Sequence, residues 1–172
     1  EQMTAEQAPQ DVELIFYPEQ EGEVDLPALL AEGGFDPEAE CAFSLAVPVY
    51  RTGEERAITQ SMHDAIAGRW GQDAAYAFRA HHGLDVQPDD AAQGAHIDGW
   101  YFLADYAGDK YAAEARFQEA LSTLNTLGVY GCTTRIGTWM EVMGTKVLVL
   151  FIGLYLGVVF LLASAAVLAL QQ

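Results

Sequence analysis

The sequence predicts a small mixed α+β domain followed by one C-terminal transmembrane helix. Residues 147–170 read VLVLFIGLYLGVVFLLASAAVLAL and contain no charged side chain. At about 1.5 Å of rise per residue, this stretch is long enough to cross a hydrocarbon core of roughly 30 Å. The residues before it alternate between segments rich in β-formers and segments with helical spacing of apolar residues. That alternation favours one domain packed on one sheet.

The domain is predicted to begin with a strand and a short helix. Residues 1–10 are polar and aperiodic, and we expect a flexible lead-in there. Residues 12–17, VELIFY, are rich in β-formers and predict a strand that Pro18 ends. Asp25 is a capping residue in front of a first turn that contains proline, which predicts a short helix over residues 26–32.

The middle of the domain predicts a strand, two helices and a turn-rich connection. Residues 42–50, AFSLAVPVY, favour a strand in which Pro48 indicates an edge position or a bulge. Apolar residues at helical spacing predict one helix over residues 54–70 and a second over residues 72–81. The following HGLDVQPDDA contains the glycine, proline and aspartates that are typical of turns.

The last part of the domain predicts two strands and its clearest helix. Residues 100–103 favour a short strand, and residues 109–127 carry an apolar face at helical spacing, with Gly128 just past the end. Residues 129–139 predict a final strand that leads to the membrane. We therefore place the α+β domain at residues 11–143, before the transmembrane helix.

The chain is strongly acidic. It has 25 Asp and Glu residues against 8 Lys and Arg residues, so its formal net charge is −17. Phosphate groups would be repelled, which argues against binding nucleic acid or anionic lipid. Loops on the cytoplasmic side of a membrane are usually enriched in Lys and Arg. We therefore predict that residues 1–146 are extracytoplasmic. Their charge would attract cationic peptides, or it could equally be a general adaptation of an acidic proteome.

The two cysteines leave two alternatives open. Cys41 and Cys132 are far apart in the sequence. Outside the cytoplasm they could form one disulfide that closes a long loop. Two unpaired thiols fit a chain so sparse in cysteine equally well.

Residue types used in catalysis and metal binding form no recognisable motif. The four histidines, His63, His81, His82 and His96, match no ligand spacing for zinc, and scattered surface histidines are the simpler interpretation. The sequence has no GxSxG nucleophile motif and no Gly-rich phosphate loop. We therefore expect a chain that is not an enzyme and that binds no metal, cofactor or ATP.

Aromatic residues cluster in and just after the strand predicted at residues 100–103. Trp100, Tyr101 and Tyr106 have two interpretations. They could belong to the core, because aromatic side chains bury large areas. They could instead line a groove in which aromatic rings and carboxylates bind a cationic amphipathic peptide.

The C-terminal end carries a more specific pattern than hydrophobicity alone. Residues 144–172 read GTKVLVLFIGLYLGVVFLLASAAVLALQQ, in which a Lys precedes an apolar run that contains the pattern GxxLGxVFLxAxxxxL. This segment resembles the membrane helix that follows the large extracellular domain in FtsX-like permeases of ABC transporters. The likeness is greatest to permeases tied to export of, or resistance to, bacitracin-like peptides. Residues 133–135 resemble the strand leading into that helix, whereas the acidic domain matches no motif.

The resemblance implies a multi-pass parent protein in the cell membrane, with the acidic domain outside. Its partners would be a cytoplasmic ATP-binding subunit, membrane lipid around the span and, in some systems, a sensor histidine kinase. The domain would sense or handle a peptide antibiotic or a lipid-linked substrate. A second hypothesis is a membrane-anchored extracytoplasmic module that binds a protein and transmits a signal without transport.

Overall fold

The computed structural model describes residues 10–19, 24–92 and 96–170, and it confirms the mixed α+β class. Contacts divide the chain into two compact units, Glu1–Ile136 and Gly137–Gln172. The elements of the described residues, in chain order, are β1 (Val12–Pro18), α1 (Leu26–Glu32), α2 (Pro37–Glu40), β2 (Cys41–Thr52), β3 (Glu55–Thr59), α3 (Gln60–Trp70), α4 (Gln72–His82), β4 (Leu84–Gln87), β5 (Ile97–Tyr106), α5 (Lys110–Leu124), β6 (Gly128–Thr134) and α6 (Arg135–Leu170). The lead-in predicted over residues 1–10 lies outside the described residues except for Gln10.

One six-stranded sheet organises the first unit, in the order β4-β3-β2-β5-β1-β6. Its pairs are antiparallel, apart from the parallel pair of β3 and β4. Successive side chains of a strand point to opposite faces of a sheet. In β5 this alternation sends Tyr101 and Leu103 to one core and Phe102, Ala104 and Tyr106 to the other. Helices therefore cover both faces of the sheet.

The first core lies between the sheet and helices α1 and α5. Phe16 of β1, Phe102 of β5 and Phe117 of α5 are all fully buried there. Asp109 caps α5 by accepting hydrogen bonds from the first backbone N–H groups of the helix, as a capping aspartate does. Gly33, at the end of α1, allows close packing, because a Cβ there would lie 2.8 Å from Cα of Ala120.

The second core lies between the opposite sheet face and helices α3 and α4. Ile66 of α3 and Phe78 of α4 pack there on Ile58 of β3. Thr59 caps α3 by accepting a hydrogen bond from the backbone N–H of Met62. The two helices are predicted correctly in their main extent, since α4 covers the residues 72–81 that the apolar spacing indicated.

The helix predicted over residues 54–70 is wrong in its first turn. Residues 55–59 form β3 instead, which joins β2 through the two-residue loop of Gly53 and Glu54. Gly53 has a φ of +67°, a conformation that glycine adopts without steric cost. Ile58 fits the helical spacing only by coincidence, because its burial comes from the sheet face.

Two further boundaries differ from the prediction. The connection predicted as turns after α4 contains β4, which pairs in parallel with β3. The strand predicted over residues 129–139 ends at Thr134, and the chain is helical from Arg135 onward. The strands predicted at residues 12–17, 42–50 and 100–103 are confirmed, although the last two are longer in the structure.

Pro48 lies in a part of β2 that is paired on one side, with β5. In the described residues β3 pairs with β2 only over Tyr50, Arg51 and Thr52, whereas Pro48 pairs with Trp100 of β5. A proline lacks the N–H needed to continue a ladder on both sides. The register also shifts between Val49 and Tyr50. The predicted edge or bulge position is therefore confirmed locally.

The second unit consists of the greater part of α6. Residues 135–167 form a helix that is long and apolar enough to cross a membrane, and none of its most apolar window is buried within the chain. A helix that exposes apolar side chains on all sides needs an apolar solvent rather than water. The predicted span at residues 147–170 lies inside α6. Membrane association of the chain follows from this helix.

Candidate functional site

The aromatic residues predicted as a ligand groove do not form one. Tyr101 belongs to the core under α3 and α4, whereas Tyr106 and the half-buried Trp100 belong to the core on the opposite face of the sheet. The period-2 alternation of β5 separates them. Tyr101 and Tyr106 are also almost fully buried. The groove prediction is therefore wrong, and the core interpretation of these aromatics is correct.

The two cysteines are free thiols in the structure. Cys41 lies in β2 and Cys132 in β6, with β5 and β1 between them. Three strand spacings amount to about 14 Å, well beyond the roughly 7 Å that a disulfide can span between Cα atoms. Burial raises the pKa of each thiol to about 12, with smaller contributions from nearby carboxylates. The disulfide alternative is therefore wrong, and neither thiol is activated as a nucleophile.

The histidines divide into two exposed and two buried side chains. His81 and His96 are exposed, as expected for scattered surface histidines. His63 is 6% exposed, and the imidazole of His82 lies 2.5 Å from the carboxylate of Glu13. The surface interpretation is therefore wrong for these two. In the part of the chain that the structure describes, no group of three or more His, Cys, Asp or Glu residues could hold a metal ion.

One polar cluster lies where β1 begins and β6 ends. Strands β1 and β6 are antiparallel neighbours, and Val12 at the start of β1 pairs with Thr134 at the end of β6. The backbone N–H of Arg135 then donates to the backbone oxygen of Asp11 at 2.9 Å. The residue just before β1 and the residue just after β6 are therefore hydrogen-bonded to each other.

The side chain of Asp11 gathers donors from three elements. It is only 3% exposed, and it accepts hydrogen bonds from Nζ of Lys110 at 2.7 Å and from the backbone N–H of Tyr106 at 3.2 Å. Arg135 adds an ion pair at 3.4 Å. The backbone N–H of Asp11 in turn donates to Asp105 at 3.2 Å. A buried carboxylate is tolerated when it is paired and hydrogen-bonded in this way.

A second buried carboxylate, Glu114 of α5, lies in the core beside this cluster and is 4% exposed. It accepts hydrogen bonds from the hydroxyl of Tyr106 at 2.8 Å, from the hydroxyl of Thr134 at 2.6 Å and from Nε2 of Gln118 at 2.9 Å. Burial and the bond to Glu114 raise the pKa of Tyr106 well above its ordinary value. We call the groups around Asp11 and Glu114 the junction cluster.

A third polar group lies on the other face of the sheet. The hydroxyls of Tyr17 and Tyr101 are 3.0 Å apart, and Arg56 donates to the Tyr17 hydroxyl at 3.0 Å. Arg56 and Arg51 both donate to Asp98. Burial alone would raise the pKa of Asp98, but the hydrogen bonds from the two arginines lower it overall. This group joins β2, β3 and β5 through ion pairs and adds β1 through the hydroxyl of Tyr17.

Little in the sequence marks the junction cluster. Asp11 and Glu114 are two acidic residues among 25, and nothing in their neighbours marks them as buried. The one usable signal is that Lys and Arg residues are scarce. In so acidic a chain, each of the 8 basic residues could pair with any of many carboxylates. Lys110 and Arg135 both pair with Asp11. Only the fold brings these residues together.

Comparison with known proteins adds no relative. No protein-family model matches the chain, and no match was found among curated proteins or solved structures. The resemblance of residues 144–172 to FtsX-like permeases therefore stays a prediction.

Proposed function

We propose that the chain is the extracytoplasmic domain and adjoining span of an FtsX-like ABC transporter permease. In that role it senses or handles a peptide antibiotic or a lipid-linked substrate. ATP hydrolysis belongs to a separate cytoplasmic subunit, and the permease chain itself is not an enzyme. A sensor histidine kinase is a further expected partner.

The observation that carries the proposal is the meeting of the two ends of the domain. Asp11 and Arg135 are joined by a backbone hydrogen bond and by an ion pair. A domain inserted between two membrane spans needs its ends close together, because both must return to the same membrane surface. This geometry supports an inserted domain in a multi-pass parent protein.

The direct passage from sheet to helix is a second support. β6 ends at Thr134, and α6 begins at the next residue, Arg135, without an intervening linker. A flexible linker would let a domain move independently of its span. A strand that runs directly into a long apolar helix suits a domain whose state must reach the membrane, as sensing and transport both require.

The charge of the chain supports a cationic ligand. A net charge of −17 raises the local concentration of cationic molecules, an attraction that salt screens beyond about 10 Å. The same charge disfavours nucleic acid. We therefore expect cationic cell-wall-active peptides to be the first ligand class to examine.

One observation favours the second candidate, a membrane-anchored module that binds a protein and transmits a signal without transport. β6 is the outermost strand of the sheet, and its seven residues carry no charge. Val129 is 62% exposed on it. Uncharged edge strands can add a strand from a binding partner.

The two candidates are separated by ATP hydrolysis. The full-length parent is expressed with candidate ATPase subunits from the same genome, purified and assayed with and without a cationic cell-wall-active peptide. A subunit whose phosphate-loop lysine is replaced by alanine supplies the matched background. The transporter proposal predicts stable association and peptide-responsive hydrolysis. Association with no ATPase would refute it and leave the protein-binding module.

A further inference from the structure

We propose that the junction cluster is a polar latch, which holds the end of β6 and the start of α6 to the domain and opens as a local unit. In its closed state the latch fixes the point where the chain leaves the sheet. In its open state that point is released while both cores stay packed. The inference concerns the chain by itself and does not depend on the transporter proposal.

β6 buries few apolar side chains. The strand lies at the edge of the sheet and pairs only with β1 among the described strands. Val129, Gly131 and Thr133 are exposed, while Tyr130 and Cys132 are half-buried. Segments with few buried apolar contacts open at lower free energy than the core around them. β6 is therefore released more easily than the strands at the centre of the sheet.

The only buried residue of β6 is polar. Thr134 is 5% exposed, and its hydroxyl donates to Glu114 at 2.6 Å. The next residue, Arg135, is bound through its backbone N–H and its guanidinium to Asp11. The end of the strand is thus held by hydrogen bonds and charges, in addition to the partial apolar packing of Tyr130, Cys132 and Ile136 on the first core.

The latch is attached to the rest of the domain mainly at the ends of helices and strands. Tyr106 contacts both carboxylates, donating its backbone N–H to Asp11 and its hydroxyl to Glu114. Lys110, the first residue of α5, also binds Asp11. Apart from Gln118 in the middle of α5, the donors thus come from the ends of β5 and β6 and from the beginnings of α5 and α6. Opening at these ends leaves the interiors of those elements intact.

Hydrogen exchange tests the latch in the full chain in lipid nanodiscs. Asp11→Asn removes the charge that Lys110 and Arg135 bind. We expect amide exchange over residues 128–136 to become about tenfold faster or more, since hydrogen bonds to charged groups are the strong ones. Exchange over β2 and over residues 97–104 of β5 should stay unchanged, whereas the N–H of Tyr106 itself bonds to Asp11. Asp98→Asn is the matched control, because it removes a carboxylate bound by two cations away from the junction.

Thr134 supplies a milder test that does not depend on the Asp11 variant folding. Thr134→Val removes the hydroxyl and keeps the shape, whereas Thr134→Ser keeps the hydroxyl. The latch predicts faster exchange over residues 128–136 for the valine variant and near-native exchange for the serine variant.

Two results would overturn the inference. One is faster exchange by the same factor over β2, β5 and β6 in the valine variant, because the cluster would then contribute only to global stability. The other is unchanged exchange over residues 128–136 in that variant.

Discussion

Gly99 of β5 lies under the ring of Tyr17, and replacing it by alanine gives a sharp test of how the sheet is packed. An added Cβ would lie 2.5 Å from Cδ1 and 2.7 Å from Cε1 of Tyr17. Carbon atoms pack best at about 3.5–4.0 Å, so the ring must move by roughly 1 Å or more. Movement of the ring would disturb the contacts of the Tyr17 hydroxyl with Tyr101 and Arg56.

The cost of Gly99→Ala follows from these contacts. Overpacking costs about 1–3 kcal/mol, and one weakened hydrogen bond adds about 1 kcal/mol. We therefore expect the free energy of unfolding to fall by about 2–4 kcal/mol. Urea unfolding of the detergent-solubilised chain, followed by tryptophan fluorescence, measures this change.

A double-mutant cycle separates the clash from other effects of Gly99→Ala. In a Tyr17→Ala background the ring is absent, so the same substitution should cost about 1 kcal/mol or less. The residual cost comes from the carbonyl oxygen of Phe16, which lies 2.9 Å from the new Cβ. An equal loss of stability in both backgrounds would refute the assignment of the cost to the Tyr17 ring.

Three further predictions concern the Tyr106 hydroxyl and the two thiols. Tyr106→Phe removes the hydroxyl that binds Glu114 and should lower the free energy of unfolding by about 1–3 kcal/mol. Tyr111→Phe, at a residue that is 64% exposed, should change it by less than about 0.5 kcal/mol. Equal losses in the two variants would contradict the role of the hydrogen bond to Glu114. Cys41 and Cys132, with pKa values raised from 9.0 to about 12, should react with a maleimide at pH 8 about a thousandfold more slowly in the folded chain than after unfolding, and rapid labelling of the folded chain would contradict their burial. Above about pH 9 the unfolded thiols ionise while the folded ones keep their protons, so the folded state binds more protons and its stability should decline as pH rises toward 12; a stability that rises over that range would contradict the sign.

Local signals predicted the elements whose structure is set by neighbours in sequence. The helix capped by Asp25 and the strand before Pro18 follow from capping and β-propensity, and both are present. β3 and β4 were missed because each is short and is stabilised by pairing with another strand. A five-residue segment such as ERAIT carries no period long enough to distinguish a strand from the first turn of a helix.

The candidate site could not be predicted from composition, for a related reason. Asp11 and Lys110 are 99 residues apart in sequence, yet their side chains lie 2.7 Å apart in the fold. In an acidic chain most carboxylates are solvated, so the buried ones have no local mark. The proposed aromatic groove failed because Tyr101 and Trp100, adjacent in sequence, point to opposite faces of the sheet.

The proposal that the domain lies outside the cytoplasm is tested most sharply by determining its sidedness in the full-length parent protein. Ser122 is an exposed residue of α5, so Ser122→Cys offers a reactive thiol in addition to the two half-buried cysteines. A second variant carries a cysteine directly after Gln172. Both are treated in intact cells with a membrane-impermeant maleimide, and the parent without either change gives the background. With the domain outside the cytoplasm, we expect labelling of Ser122→Cys in intact cells. The cysteine after Gln172 should be labelled only once the membrane is opened. Labelling of both on the same side, or of Ser122→Cys only after opening, would contradict a domain outside the cytoplasm joined to one span.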